Sequence, residues 1–136
     1  MIETMQLLPG VTLRCCRDSR FKQGCLSFQF LRQMCPEEAH LNALLPSVML
    51  RGTVPHPDLR SITRHLDDLY GAAIGPLVRR LGDWQSTGFY LSFLDDRFAM
   101  AGDRVAAGMT AFLEETLTHP LLDKEGFLPE IVESEK

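Results

Sequence analysis

No stretch of this chain stays apolar for the roughly 20 residues that a membrane helix needs. Its first residues, Met1-Ile-Glu-Thr-Met-Gln6, lack the basic start and apolar centre of a secretory signal. The expectation is a cytoplasmic protein with no membrane partner. A strong excess of charge of one sign is missing too. The chain has 14 basic and 18 acidic residues, a net charge of -4, and its Lys and Arg are scattered, not striped along one face. No nucleic-acid partner is expected. Cysteine is confined to Cys15, Cys16, Cys25 and Cys35. There is no Cys-x-x-Cys pair and no histidine at zinc-finger spacing, which excludes the common structural zinc modules. Adjacent Cys15 and Cys16 would point to opposite faces of a strand and suit neither a shared metal nor a mutual bridge. Reduced thiols packed as small hydrophobes are expected. No internal repeat or low-complexity segment is visible.

What is present is ordinary globular material, 45% apolar and 24% charged over 136 residues. That is enough for one domain burying about two thirds of its unfolded surface. Val11 to Arg17 and Cys25 to Met34 read as strands, the second with Leu26, Phe28 and Phe30 on one face. The polar turn Asp18 to Gly24 predicts that the two form a hairpin. Cys35-Pro36-Glu37-Glu38 then opens a helix, with Pro and acids suited to its first turn. Leu41, Leu44, Leu45 and Val48 recur at helical spacing and predict its buried face. Pro46 interrupts that helix and should kink it, and Gly52 is expected to close it.

A second helix is predicted from Asp58 to Tyr70, with Leu59, Ile62, Leu66 and Leu69 inward and Gly71 as its stop. Ala73 to Leu81 and Trp84 to Leu94 read as strands turned at Gly82-Asp83. A third helix spans about Gly102 to Thr118, with Val105, Met109, Phe112 and Leu113 on its apolar face, and a last helix starts near Pro129. Paired strands separated by helices predict an α+β fold, not a doubly wound sheet.

The eleven residues Ala43-Leu-Leu-Pro-Ser-Val-Met-Leu-Arg-Gly-Thr53, with their closing Leu50-Arg51-Gly52-Thr53, carry a resemblance. They resemble the zinc-binding helix of the insulinase-like (pitrilysin, mitochondrial processing peptidase) family, in which His-x-x-Glu-His precedes a Gly-Thr ending. The order of elements is similar over about 120 residues, including Leu66-Asp-Asp-Leu-Tyr-Gly71-Ala72 and the passage Pro120 to Phe127. The resemblance is to a bacterial branch without the motif. It implies a two-layer α/β sandwich with an antiparallel or mixed sheet and helices on one face. It also implies that residues 1–136 are the N-terminal part of a peptidase-like domain, truncated, with the family's second half absent. Glu135 looks like the supporting glutamate of the family's next helix.

Aligned on Gly52-Thr53, the resemblance puts Ala43 and Ser47 where the two histidine ligands stand and Pro46 where the glutamate base stands. Active members use two neutral imidazoles to hold zinc and the carboxylate to take a proton from the bound water. Ala43 has no lone pair, Ser47 is a neutral hydroxyl and Pro46 accepts no proton. The chain is therefore expected to bind no zinc cofactor and to be a non-catalytic subunit. Its expected partner is an active, zinc-bearing paralogue or a second half of the same protein, the two enclosing a peptide substrate. Two alternatives stand beside this: a displaced zinc site built on His40 and Glu37, and a stand-alone protein-binding module. His56 in its Pro-His-Pro connector, His65 on the polar side of the second helix and His119 near a helix end are read as structurally ordinary. So are Asp67-Asp68 and Asp95-Asp96.

Overall fold

Leu26, Phe28, Phe89 and Leu91 alternate with small or polar neighbours, and that period of two builds the sheet at the centre of the molecule. The computed structural model describes residues 1–136. Its strands are β1 (Ile2–Leu8), β2 (Val11–Cys16), β3 (Gln23–Gln33), β4 (Ala73–Leu81) and β5 (Trp84–Leu94). Its helices are α1 (Ala39–Met49), α2 (Leu59–Asp68), α3 (Val105–Thr118) and α4 (Pro129–Glu135). The strands form two antiparallel sheets: β1-β2, and β3-β5-β4 with β5 in the middle. The architecture is α+β, as expected. No helix is long and apolar enough to cross a membrane.

The expected hairpin between the second and third strands does not form. β2 pairs with β1, Met5 opposite Leu13, while β3 runs along β5 with Leu26 opposite Leu91 and Phe28 opposite Phe89. The Asp18 to Gly24 turn fixes how the strands are joined but not which edge each one takes. β5 is the apolar spine, and Leu91 and Phe89 are at most 1% exposed.

Helices cover one face of the three-stranded sheet at that spine. Ala72, Phe89, Leu91, Met109 and Leu113 form the core, with Leu26, Phe28, Met49, Leu50, Leu66 and Leu69 packed around it. Burial of that apolar surface is what drives the helices onto the sheet. α3 presents Val105, Met109, Phe112 and Leu113, all nearly inaccessible, as its periodicity predicts. Gly108 lets it approach α2, since a methyl there would lie 2.7 Å from Leu69 Cδ2.

α2 begins at a capping box in which Asp58 accepts from the Ser61 backbone and Ser61 reciprocates. It ends through two left-handed residues, Tyr70 (φ 62°) and Gly71 (φ 67°). Tyr70 tolerates that conformation while its hydroxyl bonds Asp103 and the Met100 N–H. Of its predicted inward residues, Ile62 is buried and Leu66 and Leu69 are half-buried, but Leu59 is 47% exposed.

α1 differs from expectation in two ways. Of the predicted stripe, Val48 is buried and Leu44 half-buried, but Leu41 and Leu45 are 57% and 42% exposed. Pro46 is buried as well, with Ala39, Ala43 and Leu50 half-buried. The helix is apolar on most of its surface, and periodicity cannot choose between stripes in that case. Nor does Gly52 cap it in a left-handed conformation. Leu50 is the C-cap, and Gly52 is absent from the positive-φ residues. α1 continues through Pro46.

Candidate functional site

α1 is held at both ends. At its start, the Gln85 Nε2 of β5 donates to the Ala39 carbonyl at 2.8 Å. At its end, Met49 and Leu50 join the core periphery. Between these anchors lie Ala43 and Ser47, half-buried, and Pro46, buried. The side chains these three positions offer are a methyl, a hydroxyl and a pyrrolidine ring. None is an imidazole, thiolate or carboxylate, so these three positions provide neither a strong ligand for zinc nor a carboxylate or imidazole to accept a proton.

His40 is exposed on the same helix. Glu37 precedes the helix and accepts a hydrogen bond from the Cys35 thiol at 2.9 Å, which holds its carboxyl below the usual range. No group of three or more His, Cys, Asp or Glu side chains is placed to hold a metal ion anywhere in the chain.

The Leu50-Arg51-Gly52-Thr53 ending has a job for each residue. Leu50 packs against the core. Arg51 reaches α4, with its Nε 3.3 Å from Glu135 Oε1 and an Nη 3.4 Å from Ser134 Oγ. Gly52 is buried where a methyl would lie 2.9 Å from the Pro57 carbonyl oxygen and 3.0 Å from Leu121 Cδ2. Its own carbonyl accepts from Leu121 N at 3.2 Å. Thr53 is 1% exposed. Its hydroxyl accepts from His56 N at 3.0 Å and donates to Glu115 Oε1 of α3.

The same Glu115 oxygen lies 2.7 Å from His56 Nδ1. The His56 ring packs against that of His65 of α2, tilted by 40° at 4.6 Å between centroids, and the His65 ring lies 5.2 Å from that of Phe112. Burial works against ionisation of Glu115. The bonds from His56 and Thr53, with the nearby charges of His56 and His65, outweigh it and hold this carboxyl below its ordinary value.

No family model matches the chain. The protein named "Probable inactive metalloprotease YmfF", from Bacillus subtilis (strain 168), is 27% identical over 127 residues, which make up 93% of this chain and 30% of that protein. A crystal structure of a conserved protein from Enterococcus faecalis V583 superposes with a TM-score of 0.91 at 24% identity, over 98% of this chain and 31% of that one. The fold is shared. The chain spans about a third of the length of each of these two proteins.

The structure also corrects how the other polar residues were read. His56 and His65, expected to be ordinary, form a junction with Thr53 and Glu115 that ties the post-α1 connector and α2 to α3. His65 is half-buried, not on a solvated face. The sequence does pair Thr53 with His56 three residues on, but Glu115 lies some sixty residues away, and no local signal links it to them. His119 is exposed and bonds its neighbour Thr118 at 2.7 Å. Asp95 caps a short 3-10 turn and binds Arg97, while Asp96 accepts from Ala106 N at the start of α3. Asp67 and Asp68 are exposed on α2. The four cysteines are free, but Cys16 and Cys25 are exposed instead of packed as small hydrophobes.

Proposed function

We propose that this chain is a catalytically silent, peptidase-like domain of insulinase type. It works by pairing with an active zinc peptidase paralogue, or with a second half of the same protein, to enclose a peptide. The observation that carries the proposal is the composition of α1. The helix that resembles the family's metal helix presents Ala43, Pro46 and Ser47 at the positions of the two ligands and the base. The name of the Bacillus subtilis relative, an inactive metalloprotease, supports the same reading.

Hydrolysis at such a site would require a zinc-bound water and a carboxylate to deprotonate it. Removing both leaves a scaffold that can position a polypeptide but not cleave it. A paralogue that retains both would supply the chemistry. α1 is anchored by the Gln85 bond to Ala39, by the core and, through the connector that follows it, by the Thr53–Glu115 junction.

The test uses the full-length protein. Elemental analysis after purification is expected to find zinc far below one equivalent, and peptide cleavage is expected to be absent until the paralogue is added. Stoichiometric zinc together with chelator-sensitive cleavage by the protein alone overturns the proposal. Failure to co-purify with any zinc-bearing paralogue, where no second half exists, overturns the pairing.

A further inference from the structure

The connector between β2 and β3 folds back on itself. Arg20 N–H donates to Asp18 Oδ1 at 3.0 Å, a turn closed by the aspartate side chain. Phe21 and Lys22 are then tied to the chain that follows β5. Arg97 Nη2 donates to the Phe21 carbonyl at 3.3 Å, and Asp95 N–H donates to the Lys22 carbonyl at 2.9 Å. The reversal leaves Cys16, at the end of β2, and Cys25, near the start of β3, on the walls of one cleft. Both are free and exposed. The Tyr90 hydroxyl of β5 donates to Cys25 Sγ at 3.0 Å and holds that sulfur in place.

No other pair of the four cysteines is so placed. Neighbours on a strand point to opposite faces, so half-buried Cys15 is turned away from the cleft that Cys16 lines. Cys35 lies past the far end of β3. From Cys25 to Gln33 that strand rises about 26 Å, at about 3.3 Å per residue. The Cys35 thiol is also engaged with Glu37 at 2.9 Å. Charge in the cleft is uneven. Asp18 and Asp95 are paired with Arg20 and Arg97, whereas Arg17 and Lys22 line the same cleft with no carboxylate bound to them. The cleft therefore favours an anionic reagent.

We propose that Cys16 and Cys25 form a reversible disulfide, which under oxidation staples the β1-β2 arm to the start of β3. The oxidant is a small anionic disulfide of the oxidised-glutathione class. The Cys25 thiolate attacks one sulfur of that disulfide, its S–S bond breaks and one glutathione leaves. Cys16 then attacks the Cys25 sulfur of the mixed disulfide and expels the second glutathione. Two electrons pass from the cysteine pair to the oxidant, and the two thiol protons end on the two glutathiones released. A disulfide needs Cα atoms about 4.4–6.8 Å apart. The 17–22 connector, which holds neither helix nor strand, is the segment that adjusts to bring them there. The arm supplies no residue of the core, so the cross-link changes the freedom of the arm and leaves core packing alone.

Incubation of the reduced protein with oxidised glutathione tests this, followed by thiol counting and peptide mass mapping without reduction, with circular dichroism to verify folding. Two of the four thiols are expected to disappear, as a bridge between Cys16 and Cys25. Cys15→Ser should form the bridge at the parent rate. Cys16→Ser and Cys25→Ser should slow loss of a second thiol about tenfold or more and stop at a mixed disulfide with glutathione. In the oxidised protein the β1 and β2 amides should exchange about tenfold more slowly, and dithiothreitol should restore the original rate. Four free thiols after incubation overturn the inference, as does a bridge through Cys15 or Cys35, or one between two copies of the chain. A Cys16–Cys25 bridge that leaves amide exchange unchanged overturns the stapling of the arm.

Discussion

Replacing Gly52 by Ala isolates the close packing of the Gly-Thr junction from every other effect. Its backbone is not left-handed, so alanine has no conformational objection to the site. In open space this exchange stabilises a protein by about 0.4–1 kcal/mol, because the unfolded chain loses freedom. Here the new methyl would lie 2.9 Å from Pro57 O, 3.2 Å from Pro57 C and 3.0 Å from Leu121 Cδ2. The leucine can turn away, but the Pro57 carbonyl cannot. His56, just before it, is bound through its backbone N and O to Thr53 and through its ring to Glu115.

Overpacking of this kind costs about 1–3 kcal/mol; less the unfolded-state gain this leaves about 0–2.6 kcal/mol, and the unyielding Pro57 carbonyl at 2.9 Å puts the net loss at about 1–2 kcal/mol. For a domain of this size that lowers Tm by about 3–7 °C. Calorimetry or circular dichroism melts of the two proteins measure it. Gly75→Ala is the control: nothing lies within 4 Å of a methyl there and its φ is not positive, so its Tm should stay level or rise. A Gly52→Ala protein as stable as the parent would refute the view that the junction is packed shut.

Thr53→Val keeps the shape but removes the hydroxyl, leaving His56 N–H without its partner; a loss of about 1–3 kcal/mol in denaturant unfolding is expected. Glu115→Gln should flatten the acid limb of stability. Because the folded-state carboxyl lies below its ordinary value of 4.5, its contribution is complete above that pH and is lost as pH falls through the lower folded value. Tm measured from pH 7 to 3 should therefore fall more steeply for the parent than for the variant, and parallel curves would count against the junction. Arg51→Ala should cost about 1 kcal/mol or less globally, because its pair with Glu135 is only partly buried and still reached by solvent. Hydrogen exchange should nonetheless show α4 losing protection while α3 keeps it, because Arg51 ties α4 to the end of α1.

Local signals carried the elements well and their partners poorly. β4 and β5 occupy the residues their alternation predicts, and α3 buries the four residues its period selects. Both patterns are strong because only one face is apolar. The segment Ile2–Leu8, a strand in the structure, carries little signal of one in its sequence. Its Ile-Glu-Thr-Met-Gln-Leu-Leu pattern alternates weakly, and the extra residue at the bulge breaks the period. Strand order depended on contacts distant in sequence. Phe28 meets Phe89 some sixty residues away, and nothing in the turn after β2 favours that partner over β2 itself. On α1, apolar residues on most sides left the buried stripe open.

The candidate site divides the same way. That Ala43, Pro46 and Ser47 offer no ligand or base follows from residue identity alone, whatever the fold. What Gly52 and Thr53 do could not be read so directly, because their neighbours Leu121, Glu115 and Pro57 converge only in three dimensions. In the structure both residues are architectural: one allows a close approach and the other bonds a half-buried carboxylate. A Gly-Thr ending is thus useful to this fold without any metal on the preceding helix. The junction constrains how α1, α2 and α3 meet, whereas Ala43, Pro46 and Ser47 must satisfy only packing. The residues at those three positions and the Gly-Thr ending are therefore physically independent of one another.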